Sequence, residues 1–489
     1  MSGMSDKPQP EPRVDGPPQP WKDAFLRWLA RIALRSFYAR IEVIGADRLP
    51  SSGPLIVMAN HSNSLVDAML ITGFLPRMPR FLAASTVWDY KPLIGLLNAA
   101  GAIPVHRVQD GRQRHGALND TFSVAAEFLV DGGVLAVFPE GVSHNEPRVL
   151  PLKPGVARIA LKAEAVRGPL SILIVPLCLI FEKKQMFRSR VLVEFGQPVE
   201  IAPEIIKAYR SGSKACQSAA AKALTQYLAQ ELEVLTPVDD NWEDNRLIGR
   251  AAEILSHTEG ITNPDRPMAE LAQEQKTVRH GYAWTRKIHP ERTAALRANL
   301  AVYDSMLRTA GLRDLEVARH ARVGMSTVPL GRTALTIATK LPVAGLGLVL
   351  NWLPFQLMLQ VSKGKDRDKR STWSIFGGML VFPVFWVITA LLVGIWAATA
   401  LSPLAGWLSG LATLVAAPIA GQRSLKLFDT LSQIAPGVRA MTRLRSTNVL
   451  GQRLIEQRRV VVKDLIALSE AYDAEQGRLA AAARLSGHG

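Results

Sequence analysis

The apolar run PLIVMA (54–59) ends at Asn60 and His61, and the segment that begins there, NHSNSLVDAML (60–70), carries Asp67 into the start of a helical pattern. His61 and Asp67 therefore flank a turn between a strand end and a helix start, the place where α/β folds commonly build their sites. A neutral imidazole takes the proton of an attacking hydroxyl, while a carboxylate on its other nitrogen fixes the tautomer and stabilises the imidazolium that forms. Taken alone, a His and an Asp at this spacing serve equally well as a cap, a surface pair or a structural hydrogen bond.

Other segments supply complementary chemistry. GAIPVHR (101–107) is a small-residue turn and an apolar strand that delivers Arg107; a guanidinium at a strand end suits bidentate capture of a phosphate. VFPEGVS (137–143) closes another apolar run. Its Glu140 can accept from substrate hydroxyls or hold an Arg, and its Gly141 permits close backbone approach to a ligand. LKPG (152–155) places Lys153 just before a helix, where charge and helix N-terminus both favour an anion. ILIVPL (172–177) reads as a core strand without direct chemistry. Singly, each is an ordinary turn or surface feature. Among the remaining histidines, His106 neighbours Arg107 and His144 lies at the rim of the Glu-Gly turn, whereas His115, His257, His280, His289, His320 and His488 read as surface or structural. No HExxH, CxxC or P-loop pattern occurs, so the sequence supports neither a metal site nor a nucleotide-hydrolysing one.

Periodicity identifies the elements that must position these residues. Apolar β-like runs at 55–59, 134–138, 173–177 and 191–195 alternate with helical patterns at 67–74, 118–130 and 156–165, predicting a compact α/β unit over 41–202. Upstream, 21–44 has helical spacing, with Arg27, Arg31 and Arg35 four apart and Phe25, Trp28, Leu29, Ile32 and Phe37 mainly on other faces. Such a helix suits either an anionic membrane surface or its own domain as packing partner. Residues 203–332 read as a charged helical extension, with helices near 215–235, 246–257, 268–279 and 291–309.

No charged residue occurs over 371–422, enough for two spans of about 20 residues each, near 373–396 and 402–421. The run 341–362 is also long enough, but it contains Pro342, Asn351 and Pro354. Basic clusters flank both its ends: Arg332 and Lys340 before it, and Lys363, Lys365, Arg367, Lys369 and Arg370 after it. A crossing there would put one cluster outside, against the positive-inside tendency. A re-entrant or interfacial hairpin is therefore expected at 341–362, inside a membrane region over 333–425 that returns Arg423 and Lys426 to the cytoplasm. Residues 1–20 read as a disordered tail without a secretory apolar core, and 426–489 as a basic helical tail.

The 489 residues are 48% hydrophobic and 20% charged, which excludes a mainly disordered chain. The formal charge of +16 favours nucleic acid, phospholipid or phosphorylated metabolites as partners. No nucleic-acid fold signature accompanies it, and the membrane-like third argues against that partner. Cys178 and Cys216 are too few for a disulfide framework and fit a reducing cytoplasm.

In this order and spacing, NHSNSLVD, GAIPVHR, FPEG and the IVPL strand resemble the glycerolipid acyltransferase superfamily. That group contains the glycerol-3-phosphate and 1-acylglycerol-3-phosphate acyltransferases, and the likeness is to its longer branch with C-terminal membrane segments. It covers roughly residues 40–202. The resemblance implies an α/β acyltransferase domain whose central mixed sheet is flanked by helices, here with a helical extension and a C-terminal membrane helical hairpin. It also implies roles: His61 as general base, Asp67 as its orienting carboxylate, and Arg107 on the acceptor phosphate. Glu140 and Gly141 would shape the same pocket, Lys153 would be a further phosphate ligand, and Asn60 and Ser143 would support them.

The implied reaction moves a fatty acyl group from acyl-CoA or acyl carrier protein, a co-substrate rather than a bound cofactor, to glycerol 3-phosphate or dihydroxyacetone phosphate. Lysophosphatidic acid is the alternative acceptor, and a non-catalytic lipid-binding scaffold is the alternative of another class. The expected partner is an anionic phospholipid membrane. The expected place is a bacterial inner membrane or its equivalent, with the catalytic domain and both termini cytoplasmic. Two departures stand out. The commonest superfamily motif encloses four residues between His and Asp, whereas Ser62, Asn63, Ser64, Leu65 and Val66 separate His61 from Asp67, so the turn must absorb one more. Val142 stands where a hydroxyl residue is frequent, with Ser143 placed to compensate.

Overall fold

A computed structural model describes residues 20–106, 117–260, 266–323, 330–364, 366, 369–444 and 448–486; residues 1–19, which make up nearly all of the expected tail, and Arg107 lie outside the described residues. The chain divides into two units, Met1–Thr236 with Gly364–Ile375, and Pro237–Lys363 with Phe376–Gly489.

The first unit contains strands β1 (Arg40–Ile44), β2 (Leu55–Ala59), β3 (Arg80–Ala84), β4 (Ile103–Val105), β5 (Val134–Val137), β6 (Leu173–Phe181), β7 (Arg190–Phe195) and β8 (Val199–Glu200). Its helices are α1 (Pro20–Phe37), α2 (Leu65–Phe74), α3 (Lys91–Ala99), α4 (Ala117–Val130), α5 (Gly155–Arg167), α6 (Pro203–Arg210) and α7 (Lys214–Leu235). The strands form one sheet in the order β1-β7-β6-β2-β5-β3-β4, with β8 on β6. The β6–β7 and β6–β8 pairs are antiparallel and the others parallel, so the sheet is mixed.

All five residues of β2 are buried, as an apolar run must be when a central strand is covered on both faces. Ile56 and Met58 join Leu129 of α4, Ile159 of α5 and Leu228 of α7 in one core, while by strand alternation Leu55, Val57 and Ala59 face the opposite side. Because β2 and β5 are adjacent and parallel, with Met58 opposite Val137, the chain leaves both strands at the same edge of the sheet. This pairing sets the His61 turn beside the 138–144 loop.

Two boundaries differ from expectation. The helix over 21–44 stops at Phe37 and 40–44 becomes a strand, because Ile41, Val43 and Ile44 suit a pleated surface and find backbone partners along β7. Helices α6 and α7, assigned by period to the extension, pack on α5, and α7 also on β6, within the first unit. Helix α1 packs on α2 with Ala30, Ala33, Leu34 and Phe37 buried. Arg27 Nη2 donates to Leu75 O at 2.7 Å and Arg31 Nε to Gly73 O at 2.6 Å, satisfying carbonyls at the C-terminal end of α2. The opposite stripe, Trp21, Phe25, Trp28 and Ile32, is exposed.

The second unit holds α8 (Trp242–Thr258), α9 (Met268–Ile288), α10 (Pro290–Ala310), α11 (Asp314–Val323), α12 (Leu330–Ser362), most of α13 (Arg370–Ala400), α14 (Pro403–Arg443) and α15 (Val449–Ser486). Leu247, Ile254, Leu300, Tyr303, Leu307, Val461 and Leu465 share its core. Inside it the fully buried Asp314 accepts from His257 Nδ1 at 2.7 Å, Tyr303 Oη at 2.6 Å, and Arg458 Nε and Nη2 at 2.9 and 3.1 Å. Burial by itself raises the pKa of this carboxyl, but the hydrogen bonds from His257 and Arg458 and the charge of Arg458 outweigh it and hold the value at about 2.

Among the described residues, three helical stretches are long and apolar enough to cross a membrane: Ile337–Ser362, Arg370–Ala400 and Pro403–Arg443. The segment 341–362, expected as a hairpin, is helical throughout, with Pro342 and Pro354 inside α12. Its register is informative. Ser424 Oγ donates to Ala344 O at 2.6 Å and Asn351 Nδ2 to Ala417 O at 3.2 Å, so α12 runs antiparallel to α14. Helix α13 also runs antiparallel to α14, with Gly394 against Gly406 and Ala390 against Gly410. Asn351 ties all three together, because its Oδ1 accepts from Trp386 Nε1 at 2.9 Å, an interhelical polar contact of the kind that holds membrane bundles.

Candidate active site

Asp67 sits in the first turn of α2, where a carboxylate is favoured by the helix dipole and can reach back to the preceding backbone. Its Oδ2 accepts from Ser62 N at 2.9 Å, Asn63 N at 2.7 Å and His61 Nδ1 at 3.0 Å. In the tautomer that satisfies this last contact the proton is on Nδ1, which leaves Nε2 with a lone pair. The His61 ring lies nearly parallel to Phe138, with centroids 4.0 Å apart and 13° between planes.

The extra residue between His61 and Asp67 is absorbed at Ser64, which has φ 49 and ψ −128. Val66 N donates to Asn63 O at 3.1 Å, closing a turn whose first central position takes the conformation that glycine adopts in a II′ turn. Ser143 Oγ accepts from Ser64 N at 3.1 Å. Ser143, expected to support a ligand contact, therefore holds this turn. Ser64→Gly should retain wild-type kcat, whereas Ser64→Val, with a β-branched side chain at positive φ, should unfold about 1–3 kcal/mol more easily and lose most activity. Paired initial-rate and thermal-unfolding measurements check this.

Residues 40–180 match the Acyltransferase family. They form an acyltransferase domain. Glycerol-3-phosphate O-acyltransferase 1 of Saccharomyces cerevisiae is 25% identical over 283 residues, 55% of this chain and 36% of that protein. The human 1-acyl-sn-glycerol-3-phosphate acyltransferase alpha is 30% identical over 132 residues, 27% of this chain and 44% of that protein. The crystal structure of the 1-acyl-sn-glycerophosphate acyltransferase of Thermotoga maritima is similar with a TM-score of 0.31 and 21% identity, over 43% of this chain and 80% of that one. The chain spans less than half the length of either curated relative.

Within the acyltransferase domain the other anticipated residues fall in different places. Asn60 pairs with the backbone of β6, its Oδ1 accepting from Leu179 N at 2.8 Å and its Nδ2 donating to Leu179 O at 3.1 Å; it braces the end of β2. Glu140, anticipated on the substrate, is instead buried, and its carboxylate accepts from the protein's own backbone at His61 and Leu150. Gly141 has φ 73, the left-handed conformation that glycine adopts without strain, and the flexible end of Lys153 lies against it. Lys153 is exposed and lies along this glycine. Arg107 lies outside the described residues.

Sequence reasoning passes over three residues. Phe138 stands inside the quoted motif, but nothing in spacing announces that its ring meets His61. Tyr38, fully buried, accepts from Asn63 Nδ2 at 3.1 Å; burial foremost, and the nearby Asp67 charge, push its phenol pKa up. Lys184, in the loop after β6, donates to Ser62 O at 3.2 Å and Asn145 Oδ1 at 3.1 Å.

Proposed function

We propose that this chain is a membrane-bound O-acyltransferase that moves a fatty acyl group from acyl-CoA or acyl carrier protein to glycerol 3-phosphate or dihydroxyacetone phosphate. The observation that carries the reading is the His61 Nδ1–Asp67 Oδ2 contact of 3.0 Å at the open edge of the sheet, inside the segment that matches the family. In this mechanism Nε2 of His61 accepts the proton of the acceptor hydroxyl as its oxygen attacks the thioester carbonyl. The C–O bond forms, the C–S bond breaks, and the proton passes from the imidazolium to the departing thiolate. Asp67 stabilises the transient imidazolium. Arg107 and Lys153 are the proposed phosphate ligands. Lysophosphatidic acid is the second acceptor reading, favoured by the name of the human relative.

The lipid setting supports this reading, since the product carries an acyl chain and each buried methylene favours the bilayer by about 0.8 kcal/mol. Helices crossing a membrane three times in succession would leave the first and third parallel, whereas α12 and α14 are antiparallel. The proposed topology is thus a two-span hairpin of α13 and α14, with α12 entering beside α14 and bending back near Pro354, so that Val361 lies against Gly377 at the same end of the bundle as the Ala344–Ser424 contact. Both ends of the region then lie on one side, proposed to be the cytoplasmic side of a bacterial inner membrane or its equivalent. The α1 stripe is proposed to rest on an anionic lipid surface, with its tryptophans at the interface. Phe25→Ser with Trp28→Ser should lower kcat/KM severalfold in anionic vesicles and leave it unchanged in detergent; equal rates in vesicles would remove α1 from the lipid surface. An acceptor panel tests the function: full-length protein in anionic vesicles, given labelled acyl-CoA or acyl carrier protein, should acylate glycerol 3-phosphate faster than lysophosphatidic acid. No transfer to any acceptor would sink the reading.

A further inference from the structure

We propose that Glu140 and His144 are positioning residues that grip the His61 peptide from both sides, and that neither touches the acceptor. This rests on reading His61 as the general base. The Glu140 side chain has no exposed surface. Its Oε1 accepts from His61 N at 3.0 Å, and its Oε2 accepts from Leu150 N at 3.0 Å and from the His144 ring at Nε2. A carboxylate with both oxygens engaged and none of its surface open gains nothing from a substrate hydroxyl unless it releases a buried N–H, which is costly.

The other side of the grip comes from the same loop. His144 N donates to His61 O at 3.1 Å, so the donor and the acceptor of residue 61 are both taken by residues four apart. The His144 ring is committed as well. Its Nδ1 accepts from Glu146 N at 3.2 Å, which leaves Nε2 to carry the proton given to Glu140. Only the neutral tautomer meets both partners, so His144 is a strut between Glu140 and the 144–146 turn rather than a second base. Backbone held by Glu140 and His144, Nδ1 held by Asp67 and ring face held by Phe138 together leave the reactive Nε2 one location. A misplacement of about 1 Å at a reacting group lowers rate by about 10²-fold, so the effect belongs in kcat.

The two roles open to Glu140 separate in kinetics. A substrate ligand, when lost, raises the acceptor KM; a positioning residue, when lost, lowers kcat and leaves that KM alone. Glu140→Gln cannot accept from three donors, because its amide nitrogen must face one of the N–H groups. It should lower kcat by about 10- to 100-fold with the acceptor KM within about twofold of wild type. His144→Ala should lower kcat, and His144→Gln, which again offers Glu140 an N–H, should restore most of it. Hydrogen exchange of the 60–66 segment, followed by mass spectrometry on the full chain, should speed up in Glu140→Gln. A tenfold rise in acceptor KM at unchanged kcat, or exchange at 60–66 equal to wild type, would overturn the proposal. If wild-type protein acylates no acceptor, the functional reading fails while the exchange measurement still judges the grip.

Discussion

His61→Ala should lower kcat for acyl transfer by about 10²–10⁴-fold, equivalent to about 3–5.5 kcal/mol of lost transition-state stabilisation, without unfolding the domain. The fold survives because the carboxylate beneath the ring keeps its two backbone donors, Ser62 N and Asn63 N, and the ring itself is partly open to solvent. Asp67→Asn should be comparably damaging for a different reason. With its oxygen at the Oδ2 position an Asn keeps the three donors, Ser62 N, Asn63 N and His61 Nδ1, but it lacks the negative charge that stabilises the imidazolium formed as the base takes its proton. Direct transfer gives neither cysteine a role, with Cys178 buried in β6 and Cys216 exposed on α7, so both Cys→Ser variants should keep wild-type rates. Initial rates of the four variants, beside their thermal unfolding curves, test this pattern.

The largest expected loss of stability is at Asp314 in the second unit. Asp314→Asn leaves the Arg458 guanidinium buried without its counter-charge and should destabilise the packing of α8, α11 and α15 by about 3–5 kcal/mol. The exposed Glu456–Arg459 pair offers the contrast, since Glu456→Gln should change stability by less than about 1 kcal/mol. The same carboxylate gives a pH dependence. Its folded pKa, about 2, lies below the ordinary 3.8, so the charged form favours the folded state. That contribution, about 2 kcal/mol, is fully present above pH 4 or so and lost as pH falls from about 4 to about 2. It is smaller than the effect of Asn because a protonated carboxyl still accepts hydrogen bonds. Acid unfolding of the second unit, followed by exchange in α8 and α15, should show this step in wild type and not in Asp314→Asn.

Much of the first unit is legible in the sequence because its central strands are buried on both faces and read as unbroken apolar runs. PLIVMA and VLAVF mark β2 and β5 directly. What the runs cannot give is their adjacency, and adjacency is what sets residues 138–144 against His61. Glu140 shows the consequence. A carboxylate beside a glycine turn suits a ligand as well as it suits a buried backbone clamp, and only its lack of exposure tells which. The six-residue separation of His61 and Asp67 announces that the turn must absorb an extra residue but not where; Ser64 gives no signal, since a glycine would be the natural residue at its φ of 49. The end of α1 was obscured because the residues from Phe37 to Ile44 fit either period, and pairing with β7 decided for the strand. Likewise α6 and α7 share the helical period of the extension, and only their packing on α5 assigns them to the first unit. The Asp314 cluster draws on positions 257, 303, 314 and 458, which no local pattern connects.

The account turns on direct transfer from thioester to acceptor hydroxyl with His61 as base, and one measurement addresses it most directly. Full-length protein in anionic vesicles is given acyl-CoA, with and without glycerol 3-phosphate, while free thiol, acylated acceptor and acylated protein are followed together. The account predicts thiol and ester in equal amounts only when acceptor is present, no acyl group on the protein, and silence from His61→Ala. Thiol release without acceptor together with acylated protein, or undiminished transfer by His61→Ala, would contradict it.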